Sequence, residues 1–296
     1  MSASEVAVTP LHPLFGGEVR GVDLREPPTP ELVSAIRGFV DDLAVIAIRD
    51  QALDDVQHIA LSRAFGPLEL PPDYGSGKPR RLRAELYDAS NLDVEGKVLA
   101  EDSPRREYNK ANLTFHADST FNDLPTTWSL LRAHAVPDQG GNTEFIDARV
   151  VYDDLPQKTK ASIAGLKGVH DFWYSHAGGK FFQVTDEMRR VMPPVEHDIV
   201  TVLDDGRKAL CIGSHVSRIA GLPGDEGRTL LDELYEFATQ KKYVYSHPWR
   251  RGDIIIWDNR RSLHRAAPWQ DNGRIRDLRR TTLMESGPEI SATSRF

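Results

Sequence analysis

Trp128-Ser129-Leu130-Leu131-Arg132-Ala133-His134-Ala135-Val136, then Gly140-Gly141-Asn142, then Thr143-Glu144-Phe145-Ile146: this stretch decides the fold. Two apolar runs on either side of a glycine turn read as consecutive β-strands. The same pattern recurs outward from it. Ala44 to Ile48 is a short apolar run of strand type, and Tyr243 to Ser246 and Ile254 to Trp257 read as strands joined through the Arg251-Gly252 turn. Leu278 to Leu283 reads as the last strand. Helices are fewer. Thr29-Pro30-Glu31 is an N-cap followed by proline in a first turn, with Leu32, Ala35, Ile36, Phe39, Val40 and Leu43 at helical spacing behind it. Asp54 or Asp55 can cap a second helix that Gly66-Pro67 stops. Short helices are expected near Ala148 to Leu155 and Lys158 to Leu166, and Leu230, Leu231, Leu234, Phe237 and Ala238 form an amphipathic stripe. From Leu68 to about Asn112 the pattern weakens. Pro71, Pro72, Gly75, Gly77 and Pro79 mark a long irregular segment carrying Lys78, Arg80, Arg81 and Arg83, to be read as an exposed loop or a lid. With no repeat and no linker, the expectation is one domain over residues 1–296. Its fold class is mainly β with flanking helices: a double-stranded β-helix (jelly roll, cupin-like) whose mouth can hold a metal.

Composition narrows the function. The 296 residues are 40% hydrophobic and 27% charged, ordinary for a globular protein. A net charge of −7 argues against nucleic-acid binding and against an anionic membrane surface, but a local arginine cluster can still recruit a small anion. The single cysteine, Cys211, cannot form an internal disulfide, which fits a reducing cytosol. Met1 to Val6 has neither a basic nor an apolar character, and no apolar run reaches ~18 residues, so a cytoplasmic protein is expected. Homo-oligomerisation is left open.

Two separated fragments carry the chemistry: His116-Ala117-Asp118, and His264 within Trp257-Asp258-Asn259-Arg260-Arg261-Ser262-Leu263-His264. In an extended segment side chains alternate, so His116 and Asp118 can face one metal. Two imidazoles and a carboxylate can occupy one face of iron(II) and leave positions open for oxygen and a chelating co-substrate. Zinc accepts the same ligands, so a hydrolase stays open at this point. His12, His58, His134, His170, His176, His197 and His247 are read as surface or core-satisfied. Further on, Arg276 and Arg280 share one face of a terminal strand and are suited to holding carboxylates through paired hydrogen bonds. Arg279 points the other way, and with Arg274 is read as a solvated charge or a surface ion pair.

Phe115 to Phe121, Gly140-Gly141-Asn142-Thr143-Glu144-Phe145, Trp257-Asp258-Asn259-Arg260 with His264, and Arg276-Asp277-Leu278-Arg279-Arg280-Thr281-Thr282 occur in the order of one family. Leu11-His12-Pro13-Leu14-Phe15, Val22 to Glu26, Ala64-Phe65-Gly66-Pro67-Leu68-Glu69 and Ala84-Glu85-Leu86 extend the likeness over nearly the whole chain. The chain resembles the taurine dioxygenase superfamily of iron(II)- and 2-oxoglutarate-dependent dioxygenases, and within it the phenoxyacetate branch.

The resemblance implies that His116, Asp118 and His264 bind Fe(II), with 2-oxoglutarate and O2 as co-substrates. It implies that Arg276 holds the distal carboxylate of 2-oxoglutarate and that Thr143 shares it. Arg280 would be a second anchor, near the 2-oxoglutarate head or on the anion of the primary substrate, and Asn112 would lie close to both. His215 and Lys97 would line the substrate site. The implied substrate is a small organic anion, an aryloxyacetate such as 2,4-dichlorophenoxyacetate, converted to the phenol and glyoxylate as 2-oxoglutarate gives succinate and CO2. The Pro71 to Pro79 segment departs from the branch's pattern, which leaves taurine or another sulfonate as a competing substrate. A non-catalytic metal-binding jelly roll is the alternative of another class.

Overall fold

The computed structural model describes residues 6–70, 80–176, 184–285 and 289–291; Pro71 to Pro79 lies outside them. The largest sheet is assembled around Val45–Ile48, Ile254–Asp258, Trp128–Ala135 and Asp277–Leu283, which pair in that order. The first three read as near-continuous apolar runs because both faces of this sheet are covered. One face presents Ile46, Ile48, Leu130, Ile254 and Ile256 to Ile36 and Val40 of the Pro30–Leu43 helix and Ile59 and Leu61 of the Asp55–Arg63 helix. The opposite face presents Val45, Ala47, Leu131, Ala133, Ile255, Trp257 and Leu278 to Phe145 and Tyr245, which belong to a second, three-stranded sheet. That sheet orders Tyr245–His247, Thr143–Asp147 and Ser262–Ala266. The architecture is therefore one of mixed sheets with flanking helices. A third core gathers around Val151, Leu210, Val216 and Leu234 beneath the Gly224–Ala238 helix.

Local signals decide where the helices begin. Thr29 accepts from Leu32 N with Pro30 in the first turn, and Asp54 forms a reciprocal capping box with Gln57. Tyr245–His247 and Ile254–Asp258 are joined through the turn at Gly252 as expected, and because they belong to different sheets the chain crosses between layers there. One expectation changes. The weak stretch before Asn112 holds the strands Leu68–Leu70 and Tyr87–Asp88, a helix Pro104–Asn109 and a 3-10 turn Lys110–Leu113. Within it Arg81 is largely buried and bridges Asp88 and Asp277, which is why a basic loop residue does not face solvent. No helix among the described residues is long and apolar enough to cross a membrane.

Candidate active site

His116 and His264 are brought together by backbone pairing. The two residues form an antiparallel bridge, with His116 N donating to His264 O at 3.0 Å and His264 N to His116 O at 2.8 Å. Asp118 lies just past the bridge, at the start of a turn rather than within a strand. One of its oxygens, Oδ1, stands 3.9 Å from His116 Nε2 and 3.7 Å from His264 Nε2. All three side chains are buried, and their donor atoms lie within 4.8 Å of one another. Of the described residues, no other group of His, Cys, Asp and Glu meets that criterion.

The surroundings put each group in the state a metal needs. His116 Nδ1–H donates to the Thr114 carbonyl at 2.9 Å, leaving the Nε2 lone pair free. Burial pushes both imidazoles towards neutrality, His264 well below the usual histidine range. Burial also pushes the Asp118 carboxyl up, but the groups around it, the Arg280 guanidinium first, outweigh it and bring it down to about 2. Asp118 is held through a short network. Ser129 Oγ donates to its Oδ2 at 2.7 Å, Asn259 Nδ2 donates to Ser129 Oγ at 3.0 Å, and Asn259 Oδ1 accepts from Asp118 N and Trp257 Nε1. The Trp257-Asp258-Asn259 motif thus serves Asp118 as well as leading to His264. Behind His116 the chain passes so closely that a Cβ on Gly213 would sit 2.8 Å from the Phe115 carbonyl oxygen, and its φ of +137° suits glycine alone.

Two cavities meet at this centre, sharing Tyr87, Asn112, His116 and Arg280 in their walls. The larger, of about 350 Å³, is also lined by Thr143, Trp257, His264 and Arg276. Arg276 donates to the Gly141 carbonyl (2.7 Å), the Ala89 carbonyl (2.9 Å) and Thr143 Oγ1 (3.2 Å). Among the described residues no carboxylate pairs with it, its partners being those three oxygens, and burial lowers its pKa to about 10. Gly141, at φ +69°, lets the chain pass close enough to be bonded, since a Cβ there would meet Arg276 Cδ at 3.1 Å. Thr143 Oγ1 accepts from Arg276 and also from Trp249 Nε1 at 3.0 Å. Both its lone pairs are occupied, so its own hydroxyl proton is left to donate. A desolvated guanidinium beside an outward-donating hydroxyl is a receptor for an anion, best a carboxylate.

The smaller cavity has an aromatic wall. Phe121 lies edge-on to Phe172 at 4.8 Å and to His215 at 5.0 Å, and His176 stacks on Phe172 at 4.4 Å. Arg280 stands between the two cavities, paired with Asp118 Oδ1 and over the Tyr87 ring at 4.6 Å. Its buried Nε has no hydrogen-bond partner among the described residues.

Measured against the sequence expectations, His116, Asp118, His264, Thr143, Arg276, Arg280, Asn112 and His215 converge on one site. Lys97 does not. It is exposed on the turn closed by the Leu92–Val98 bridge and is absent from both cavity walls; the apolar Leu99 is the neighbouring residue that turns inward. Arg279 points away and is ion-paired, as one of the two expectations had it, with Asp55 and Asp277, but the pairs are largely buried rather than on the surface. Sequence reasoning missed Trp249, Ser129, Tyr87 and the wall residues Phe121 and Phe172, and set aside His176. Asn259 and Phe121 lay inside motifs already singled out; nothing local marks Trp249.

The chain belongs to the taurine catabolism dioxygenase TauD, TfdA family, whose model matches residues 7–282. It is 41% identical over 282 residues to the alpha-ketoglutarate-dependent 2,4-dichlorophenoxyacetate dioxygenase of Cupriavidus pinatubonensis, covering 95% of this chain and 98% of that one. It is 32% identical to the (S)-phenoxypropionate/alpha-ketoglutarate-dioxygenase of Sphingobium herbicidovorans, covering 88% and 89%. The crystal structure of AAD-2 in complex with Mn(II) and N-oxalylglycine is similar at a TM-score of 0.87 and 37% identity, covering 97% of this chain and 98% of that one.

Proposed function

We propose that this protein is an iron(II)- and 2-oxoglutarate-dependent dioxygenase that hydroxylates the carbon beside the ether oxygen of an aryloxyalkanoate. Arg276 carries the reading: a half-buried cation with no counter-carboxylate among the described residues, in a cavity that opens onto a His/Asp/His triad. A bare metal site or a zinc hydrolase has no use for that receptor. The relatives named for phenoxyacetate and phenoxypropionate support the substrate class.

In this reading His116, Asp118 and His264 would hold the metal. Arg276 and the Thr143 hydroxyl hold the distal carboxylate of 2-oxoglutarate, and Trp249 orients that hydroxyl. Arg280 holds the substrate carboxylate at the junction of the cavities, and Asn112 lies beside both ligands. The aromatic wall, with His215, receives the ring. Iron, 2-oxoglutarate and O2, when bound, supply the oxidation that puts a hydroxyl on the substrate carbon and yields succinate and CO2. For an aryloxyacetate the product is a hemiacetal, which collapses to a phenol and glyoxylate without any hydrolytic nucleophile. The buried walls keep bulk water from the reacting carbon.

The facing sheets support reading the fold as a jelly roll in a single domain. Incubation with iron(II), 2-oxoglutarate and 2,4-dichlorophenoxyacetate should release 2,4-dichlorophenol and glyoxylate. Sulfite from taurine with no phenol from the aryloxyacetate would make the chain a sulfonate dioxygenase instead.

A further inference from the structure

Glu69 lines the aromatic cavity and has no part in the site as described so far. It is 7% exposed, and burial raises the pKa of its carboxyl above the usual range. Burying such a group is costly unless both oxygens are satisfied. Here they are: Oε2 accepts from Ser119 Oγ and Oε1 from Asn122 Nδ2, each at 2.6 Å. Those partners are the first and last residues of the turn that leaves Asp118, closed by Asn122 N donating to Ser119 O at 3.0 Å. Ser119 has a φ of +54°, a left-handed conformation that disfavours any residue with a Cβ and persists only when the surroundings enforce it. Phe121, inside the same turn, supplies the edge that meets His215 and Phe172. Glu69 itself sits opposite Thr282, in register with the strand that carries Arg280.

We infer that Glu69 is a positioning residue for the metal centre: by clamping both ends of the Ser119–Asn122 turn it fixes the chain leaving Asp118, aims that carboxylate at the two imidazoles, and sets Phe121 in the cavity wall. Ser129 and Asn259 hold the carboxylate and amide of Asp118; Glu69 holds the main chain that follows. The inference rests on the reading of His116, Asp118 and His264 as metal ligands.

Calorimetric titration of the metal-free protein with Mn(II), with melting curves to confirm folding, tests it independently of turnover. Glu69→Ala should weaken Mn(II) binding by about 10- to 100-fold, the usual consequence of losing an outer support of a metal ligand. Glu69→Gln keeps an oxygen for Ser119 and an amide that a rotated Asn122 side chain can accept, so it should recover most of the affinity. Ser119→Ala and Asn122→Ala, each removing one clamp bond, should give smaller losses. A folded Glu69→Ala protein with wild-type Mn(II) affinity would overturn the inference. So would a Glu69→Gln protein as weak as Glu69→Ala, since charge rather than the clamp would then be at work. Should Glu69→Ala not fold, wild-type affinity in both Ser119→Ala and Asn122→Ala would overturn it, and losses in both would support it. Failure of the wild-type protein to bind Mn(II) would overturn the metal reading itself.

Discussion

Replacing Arg276 by alanine removes the cation on which the co-substrate reading depends. In the structure this guanidinium spends its hydrogen bonds on Gly141, Ala89 and Thr143 and carries no carboxylate partner among the described residues. Burial lowers its pKa to about 10, in keeping with a half-buried charge that no carboxylate offsets. A carboxylate delivered to it is therefore paired in a poorly hydrated place, where losing one partner costs about 2–5 kcal/mol. At 1.36 kcal/mol per decade, that raises KM for 2-oxoglutarate by a factor of roughly 30 to several thousand. The turnover number at saturating co-substrate should fall much less, because Arg276 does not contact His116, Asp118 or His264. Arg276→Lys should recover only part of the loss: a single ammonium cannot serve Gly141, Ala89 and Thr143 while also gripping two carboxylate oxygens. Initial rates of succinate formation against 2-oxoglutarate concentration measure the effect. An Arg276→Ala enzyme with wild-type KM would refute the reasoning, because the uncompensated charge would then have another purpose.

Other perturbations follow from the same geometry. Trp249→Phe deletes the indole donor to Thr143 Oγ1 but keeps the ring, so KM for 2-oxoglutarate should rise about 2- to 12-fold, the value of one ordinary hydrogen bond of ~0.5–1.5 kcal/mol; steady-state rates decide it. Gly213→Ala forces a Cβ against the Phe115 carbonyl and His116 Cα, and should lower Mn(II) affinity measured by titration, whereas Gly206→Ala, with nothing nearby, should not. His264→Ala should abolish turnover and metal retention while the circular dichroism spectrum is kept; wild-type iron content would contradict the ligand assignment. His58 and His170 are buried with pKa values lowered to about 3, chiefly by burial. The unfolded chain thus binds more protons than the folded one between about 6.5 and 3, so the Tm of the metal-free protein should fall as pH drops through that window, and a flat Tm would show these histidines titrating freely.

How much of this the sequence revealed depends on where the information lies. Val45–Ile48 and Ile254–Asp258 were legible because strands covered on both faces become uninterrupted apolar runs. Lys167–His170 and Val195–Asp198 were not. The first is interrupted by Gly168, which weakens its strand pattern, and the second is a half-exposed strand of mixed charge. The Pro104–Asn109 helix had its signal, Ser103 before a proline, but no apolar periodicity to support it. In the site, His116, Asp118, His264, Thr143 and Arg276 were named by residue type and motif, since metal and carboxylate chemistry restrict the choice. Trp249 reaches the site only through the link between the two sheets, so no local pattern marks it; Glu69 ends the Ala64 to Glu69 motif, but only strand register shows what it reaches. Lys97 stays outside both cavity walls for the converse reason: a cation in a turn has no cause to face inward unless packing turns it.

The central claim is that one pocket combines a metal held by His116, Asp118 and His264 with a carboxylate receptor at Arg276 and Thr143. The most direct test is to supply the iron-loaded enzyme with 2-oxoglutarate, 2,4-dichlorophenoxyacetate and heavy-isotope O2, and to follow succinate and phenol by mass spectrometry. The account predicts equal amounts of the two products, with one oxygen atom from O2 in each succinate. Phenol released without O2, or no succinate at all, would contradict it.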